Sequence, residues 1–120
     1  MAVKIKTKYG VVDISSDVIS SVVGSATTDN YGVVGMASKN QLRDNVNSIL
    51  KNDNYSKGVV VRQENSGIAI EVNIIVSYGT KISEVCRNVQ SKVKYNLETM
   101  LGITANTVNV VVQGVQVLND

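Results

Sequence analysis

The segment at residues 81–101 constrains the fold more than any other, because its apolar residues recur at intervals of three and four. This spacing places them on one face of an α-helix. The apolar face consists of Ile82, Val85, Cys86, Val89, Val93, Leu97, Met100 and Leu101. Thr80 is the predicted N-cap of this helix and Gly102 its predicted C-terminal glycine. The opposite face is centred near Tyr95, which is therefore predicted to point into solvent.

The rest of the chain supplies strands and further helices around this element. Runs that alternate apolar and polar residues predict strands, and spacing by three and four predicts helices. In chain order the prediction is an extended segment over 3–14 with a bend at Gly10, a helix starting at 15–17, a strand over 31–37, a short helix beginning at Asn40, a hairpin of strands 59–64 and 68–77, the long helix, and a strand over 108–117. The order β-α-β-α-β-β-α-β predicts an α+β fold, a two-layer sandwich whose mixed β-sheet carries amphipathic helices on one face.

The strand over 68–77 is predicted to have two unlike faces, because successive side chains of a strand point to opposite sides. The side predicted to face the helices is wholly apolar and consists of Ile68, Ile70, Val72, Ile74 and Val76. The other side, which includes Glu71, Asn73 and Ile75, is half polar. In the last strand Val111 also falls opposite the main apolar stripe. Ile75 and Val111 are therefore predicted to lie exposed on the open side of the sheet, as contacts for self-association or for a partner.

Size and composition predict one domain spanning residues 1–120. Hydrophobic residues make up 43% of the chain and charged residues 18%, which is within the range of globular proteins. No apolar run approaches the roughly 18 residues of a membrane span, and the first residues lack the apolar core of a signal peptide. The single cysteine, Cys86, has no partner for an internal disulfide and is expected to be buried and unreactive. The predicted location is the cytoplasm, without direct insertion into a membrane.

The residue types that common catalytic sites need are missing. The chain has no histidine, which excludes Ser-His-Asp and Cys-His catalysis and the commonest zinc sites. Asp13 and Asp17 are the nearest approach to a pair of carboxylates, and roles in a turn and a helix cap account for them better than catalysis does. The sequence therefore predicts a protein that is not an enzyme and that has no catalytic residue, cofactor site or metal site.

Nucleic-acid binding is the alternative function that the residues leave open. Residues 32–35 match the GxxG pattern of KH modules, but two valines fill its centre and its surroundings predict a strand. Lys4, Lys6 and Lys8 share one side of the first extended segment, where they form either an edge protected against aggregation or a contact for an anionic surface. Twelve basic and ten acidic residues give a net charge of +2, too balanced for a typical nucleic-acid-binding domain. No nucleic-acid partner is expected.

Two tyrosines are candidates for contact with a protein partner. Tyr78 joins a strand to the long helix, and its ring either covers the edge of the core or stands at the surface. Tyr95 lies opposite the apolar face of the helix and is predicted to be exposed there.

Several short blocks together resemble one known family over nearly the whole chain. The blocks are YGVVDIS at 9–15, YGVVGMASK at 31–39, VSYGTKISEV at 76–85, NVQ and KV within 88–93, and VNVVVQGV at 108–115. Their order and spacing are similar to those of the alkaline-shock, or Gls-type envelope stress, family. The small stand-alone members of that family in Gram-positive bacteria are the most similar in form.

This resemblance implies a cytoplasmic, non-enzymatic protein that is associated with the cell envelope and with envelope or alkaline stress. In some members of the family a membrane-anchored partner tethers the protein, which also assembles with itself. The resemblance therefore implies a homo-oligomer and a membrane-anchored envelope protein as partner. It supplies no catalytic residue and no cofactor.

Overall fold

The computed structural model describes residues 2–38, 55 and 57–117, which form an α+β fold. The strands are β1 (Ala2–Thr7), β2 (Gly10–Ser15), β3 (Val33–Met36), β4 (Val59–Glu64), β5 (Gly67–Ser77) and β6 (Ala105–Gln116). The helices are α1 (Ser16–Thr28) and α2 (Ile82–Asn96), and α2 continues into a π-helical turn, Leu97–Leu101. The predicted fold class is confirmed, although the first extended segment forms two strands instead of one. The helix predicted to begin at Asn40 lies outside the described residues.

The main sheet is built around β5, which has three partner strands. β6 runs parallel to it along one edge, whereas β4 and β3 are antiparallel to it. Since a strand has two edges, β3 and β4 share the second edge, with β4 beside Gly67–Val72 and β3 beside Ile74–Val76. Asn73 lies where they meet: its N–H donates to the carbonyl of Gly58, and its own carbonyl accepts from the N–H of Ala37, each at 3.0 Å. β3 and β4 thus complete one edge of β5 end to end.

The core lies between the main sheet and the two helices. The helix-facing side chains of β5 are fully buried in it, and they are Ile68, Ile70, Val72, Ile74 and Val76. Val89 and Val93 of α2 and Ile19 and Val23 of α1 pack into the same cluster and are equally buried. Burial of a large aliphatic side chain contributes about 1.5–3 kcal/mol. The predicted choice of the buried side of β5 is confirmed, and this contact between layers is the main stabilising one.

The predicted apolar face of the long helix is largely buried, with two exceptions near its ends. Ile82 and Met100, both predicted to face inward, are exposed. The π-helical turn Leu97–Leu101 explains Met100, because its wider hydrogen-bonding pattern breaks the 3.6-residue period on which the prediction rested. Gly102 ends the helix as predicted, with a left-handed φ of 66° and its N–H donating to the carbonyl of Glu98.

The two helices begin differently. α1 has the predicted cap: the hydroxyl of Ser15 accepts from the N–H of Val18 at 3.3 Å, and Asp17 lies in the first turn. In α2 the predicted cap is wrong, because the hydroxyl of Thr80 donates to the carbonyl of Ser77 at 2.7 Å instead. Thr80 therefore fixes the turn between β5 and α2 rather than the first turn of the helix.

β1 and β2 form a separate two-stranded sheet, which we call the arm. Gly10 opens its second strand at the predicted bend, after the turn at Lys8 and Tyr9. The arm meets the main sheet beside β4, where the side-chain amide of Gln63 donates to the carbonyl of Lys4 at 3.2 Å. Its contact with the main sheet therefore lies on the side away from β6.

Candidate docking surface

The aromatic side chains of this protein lie mostly in solvent. All five aromatic residues are tyrosines, and Tyr9, Tyr31, Tyr78 and Tyr95 are 90%, 87%, 72% and 64% exposed. Tyr95 is exposed as predicted, and Tyr78 stands at the surface instead of covering the core edge. Tyrosine is enriched at protein interfaces because a rigid ring brings both apolar area and a hydroxyl. The exposed rings are therefore the first candidates for contacts with a partner.

Tyr31 and Tyr78 lie at the same end of the main sheet. β3 and β5 pair Val33 with Val76, and just beyond this pair the N–H of Ser77 donates to the carbonyl of Gly32 at 2.9 Å. Continuing this antiparallel register places Tyr31 opposite Tyr78. The pairing of β3 with β5 thus joins two sequence blocks that lie far apart in the chain.

Glycines allow both loops to make their turns. Gly32 and Gly79 follow the two tyrosines and have φ values of 91° and 93°, a region that side chains other than glycine rarely adopt. At Gly32 a side chain would in addition clash with Val85 of α2, since an added Cβ would lie 2.7 Å from a methyl group of that residue. The backbone at this end of the sheet is therefore held in a fixed conformation close to the helix.

The end of β6 extends the surface around Tyr78. The N–H of Tyr78 donates to the carbonyl of Gln116 at 2.9 Å, and the neighbouring Val115 and Val117 are 48% and 59% exposed. We call Tyr31, Tyr78, Val115 and Val117 the terminal patch. Clustered exposed apolar side chains mark interaction sites more often than scattered ones do. A groove of about 240 Å³ lies beside the patch between Tyr31 and the start of α2, with Val85 among its lining residues.

The prediction that Ile75 is exposed on the open side of β5 is wrong, whereas Val111 is exposed as predicted. Ile75 is 6% exposed and Val111 36%. Ile75 lies on the central strand with neighbours on both sides, Gly35 of β3 and Gly114 of β6, whereas Val111 lies on an edge strand. The two residues therefore do not form the exposed pair that the alternating pattern predicts.

A buried amide on this side of the sheet was not predicted. Asn73 is buried, and its side-chain NH₂ donates to the carbonyl of Gly58 at 3.1 Å. Its side-chain oxygen accepts from the amide of Gln113 at 2.8 Å, so the side chain links the β3–β4 junction to β6. The sequence indicates its burial only through its place in an otherwise apolar stretch of β5. Its hydrogen-bond partners could be identified only from the strand order. The residue holds the sheet together at the junction and is not itself a surface site.

Cys86 lies at the border of the core and is half-buried, so the prediction of full burial is only partly correct. Desolvation raises the pKa of its thiol above the ordinary value. A raised pKa lowers the fraction of reactive thiolate at neutral pH, in keeping with the predicted low reactivity. Among residues 2–38, 55 and 57–117, histidine, cysteine and acidic side chains form no group of three or more that could hold a metal ion.

The lysines of the arm have neighbours of mixed character. Lys4 lies opposite Asp13 in the pairing of β1 with β2, and the ammonium group of Lys8 lies 5.3 Å from the centre of the Tyr9 ring. Lys6 lies opposite Val11, which is exposed. In the part of the chain that the structure describes, no helix is long and apolar enough to cross a membrane.

The sequence matches the alkaline shock protein 23 family, described as having a cell envelope-related function, over residues 4–117. It is 55% identical over 119 residues to the uncharacterized protein YloU of Bacillus subtilis strain 168, a match that covers 99% of each chain. It is 52% identical to the uncharacterized protein Spy1614 of Streptococcus pyogenes serotype M6, over 100% of this chain and 99% of that one. A second Bacillus subtilis protein, the uncharacterized YqhY, is 30% identical over 92% of this chain and 80% of its own. No solved structure matches the sequence.

Proposed function

The chain belongs to the alkaline shock protein 23 family, whose function is related to the cell envelope, and we propose that it serves there as a non-enzymatic adaptor. The resemblance seen in the short sequence blocks is confirmed by this membership. The adaptor associates with itself and docks an envelope partner. It works in the cytoplasm and reaches the membrane through that partner.

The terminal patch is the observation that carries this proposal. The strand register brings two loops and a strand end together, and with them four exposed residues, Tyr31, Tyr78, Val115 and Val117. These exposed side chains add no stability to the isolated chain. Their burial against a second protein contributes about 25 cal/mol of favourable free energy per Å² of apolar area. Tyrosine is also among the residue types that contribute most at the centre of interfaces. Val111 and Tyr95 remain predicted contacts outside the patch.

The absence of enzymatic activity is supported by the sequence and by the site. The whole chain lacks histidine, the commonest general acid and base, and its one thiol has a raised pKa. The groove beside the patch is lined by Lys81, just before α2, and by Glu84 and Asn88 on α2, and all three are exposed. Exposed charged and polar side chains of this kind are suited to contacts at the rim of an interface.

The double substitution Tyr31→Ser with Tyr78→Ser tests the proposal. We expect it to lower the assembly state in sedimentation velocity and to reduce the recovery of crosslinked envelope proteins from the native host. The matched control is Tyr9→Ser on the arm, which removes an equally exposed ring without touching the patch. Circular dichroism should show an unchanged fold in all variants, because none of the three rings belongs to the core.

Wild-type assembly and wild-type crosslinks in the double variant would remove the patch from the proposal. Equal losses in the double variant and in Tyr9→Ser would also argue against it, since the effect would then follow from any lost surface ring.

A further inference from the structure

β6 forms an outer edge of the main sheet and has an unusual composition for such a strand. Among the described strands it pairs only with β5. Its twelve residues, Ala105–Gln116, include no charged residue and no proline. Natural proteins usually protect an edge strand with charge, proline or a cover, because its free N–H and C=O groups are a template for another strand.

The opposite edge of the same sheet is protected. β4 carries Arg62 and Glu64, and its Gln63 is bonded to the arm at the carbonyl of Lys4. β3, which continues that edge, has only four residues. Among the described residues, the lack of charge and proline is therefore a property of β6, and from Val108 to Val112 its pairing with β5 also has no bulge.

The free backbone groups of β6 can be assigned from one hydrogen bond. The carbonyl of Val108 accepts from the side chain of Gln90 on α2 at 2.9 Å, so it points away from β5. Along a strand the backbone groups of successive residues alternate between the two edges. The pairing with β5 is regular from Val108 to Val112, so the N–H and C=O groups of Val110 and Val112 point to the open edge.

Basic side chains of α2 border this edge. Arg87 precedes Gln90 by three positions and Lys94 follows it by four, so both lie on the side of the helix that Gln90 turns toward β6, and both are exposed. Glu98, in the π-helical turn, follows Lys94 by four positions, so one acidic side chain adjoins the Lys94 end of this row. A strand added to β6 would therefore meet two positive charges on its helix-facing side.

We propose that β6 binds an extended, acidic segment of the envelope partner as an additional strand of the main sheet. This proposal rests on the adaptor function and names the chemistry of its partner. Backbone hydrogen bonds to Val110 and Val112 hold the segment, in the manner of peptides that extend a sheet. Acidic side chains at alternate positions reach Arg87 and Lys94. The edge therefore prefers acidic segments to basic ones.

A second copy of this chain is a poorer occupant of the same edge. Two copies paired through β6 about a two-fold axis would place both α2 helices on one side of the joined sheet, each turning its Gln90 side toward the other. Arg87 and Lys94 of one copy would then face the same residues of the other, and such like-charge contacts are unfavourable. The charge pattern therefore favours an acidic partner strand over self-association at β6.

The test uses two synthetic seven-residue peptides with blocked ends, one alternating Glu with Val and the other alternating Lys with Val. Fluorescence anisotropy with the full chain should show that the acidic peptide binds about tenfold or more tightly than the basic one, and that salt weakens its binding. Arg87→Glu with Lys94→Glu should abolish or invert this preference. Arg62→Glu, which changes an exposed basic residue on β4 at the opposite edge of the sheet, is the control and should leave the preference within about twofold.

Val110→Pro tests the backbone contact, since it removes an N–H from the open edge without removing a bond to β5. It should abolish peptide binding, and the acidic peptide should slow hydrogen exchange of the Val110 and Val112 amides in the wild-type protein. If Val110→Pro fails to fold, the exchange measurement decides alone.

Equal affinity for the two peptides, or unprotected amides at Val110 and Val112, would overturn the proposal. A loss of self-association in a folded Val110→Pro variant would also overturn it and would assign the edge to a second copy. The Tyr31→Ser, Tyr78→Ser variant should bind the acidic peptide normally, so failure of the patch and failure of the edge give different results.

Discussion

The two sides of β5 are both largely buried, but they are built in different ways. On the helix side, the side chains of β5 are all branched aliphatic ones, and they pack against α1 and α2. On the other side, Asn73 is buried together with Ala69 and Ile75, and its amide is bonded to both neighbouring strands. The stability of the helix side thus comes from buried apolar area. On the opposite side it depends in addition on a few specific hydrogen bonds. A disturbance should therefore cost more on the first side and act more locally on the second.

Val93→Asp should give the largest effect, because it places an unpaired carboxylate in the fully buried contact between α2 and β5. We expect a loss of about 3–5 kcal/mol in the free energy of unfolding, measured by urea denaturation. Ser91→Asp introduces the same side chain at an exposed position of α2 and should change the stability by less than about 0.5 kcal/mol. Similar stabilities for the two variants would mean that α2 turns another face to the sheet.

Asn73→Ala should give an intermediate effect, since it leaves the amide of Gln113 without its partner and removes one of the two hydrogen bonds to the carbonyl of Gly58. The expected loss is about 1–3 kcal/mol. Glu71→Ala, on the same side of the same strand, is the control and should cost less. A double-mutant cycle with Gln113→Ala should reveal coupling of at least about 0.5 kcal/mol, and strictly additive losses would contradict the hydrogen bond between the two side chains.

The smallest expected effect is on the labelling rate of the Cys86 thiol. This rate reports how accessible to solvent the border of the helix side is. Because desolvation raises the pKa of its thiol, the thiolate that reacts with alkylating reagents forms at a higher pH than in a free cysteine. Labelling at pH 8 should accordingly be slower than that of glutathione, and its rate should keep rising at pH values where the labelling of glutathione has levelled off. Labelling as fast as that of glutathione over the whole range would show that the border is open.

The helix side of β5 could be predicted from the sequence because burial against helices imposes a strict period of two on the strand. The opposite side could not, because its burial depends on which strands flank β5. Ile75 looked exposed in the alternating pattern, yet it lies on the central strand between β3 and β6. Asn73 looked like a surface amide for the same reason.

The candidate surface was predictable only in part. Tyr78 and Val111 were selected from the sequence and are exposed. Tyr31 was not predicted as a contact, because its place opposite Tyr78 follows from the antiparallel pairing of β3 with β5. The exposure of Met100 was not predicted, because the π-helical turn changes the helical period at Leu97. No short-range sequence pattern indicates that turn.

The parallel pairing of β5 with β6 also affects how the chain is made. α2 lies between these strands in the sequence, so β5 leaves the ribosome well before β6 and for that time has one side of its backbone unpaired. Pairing between segments far apart in sequence is slow to form, and a bare strand is a template for aggregation. The nascent chain therefore passes through a stage in which one edge of its most apolar strand is open to aggregation, and a translation product that stops before Ala105 would remain in that stage.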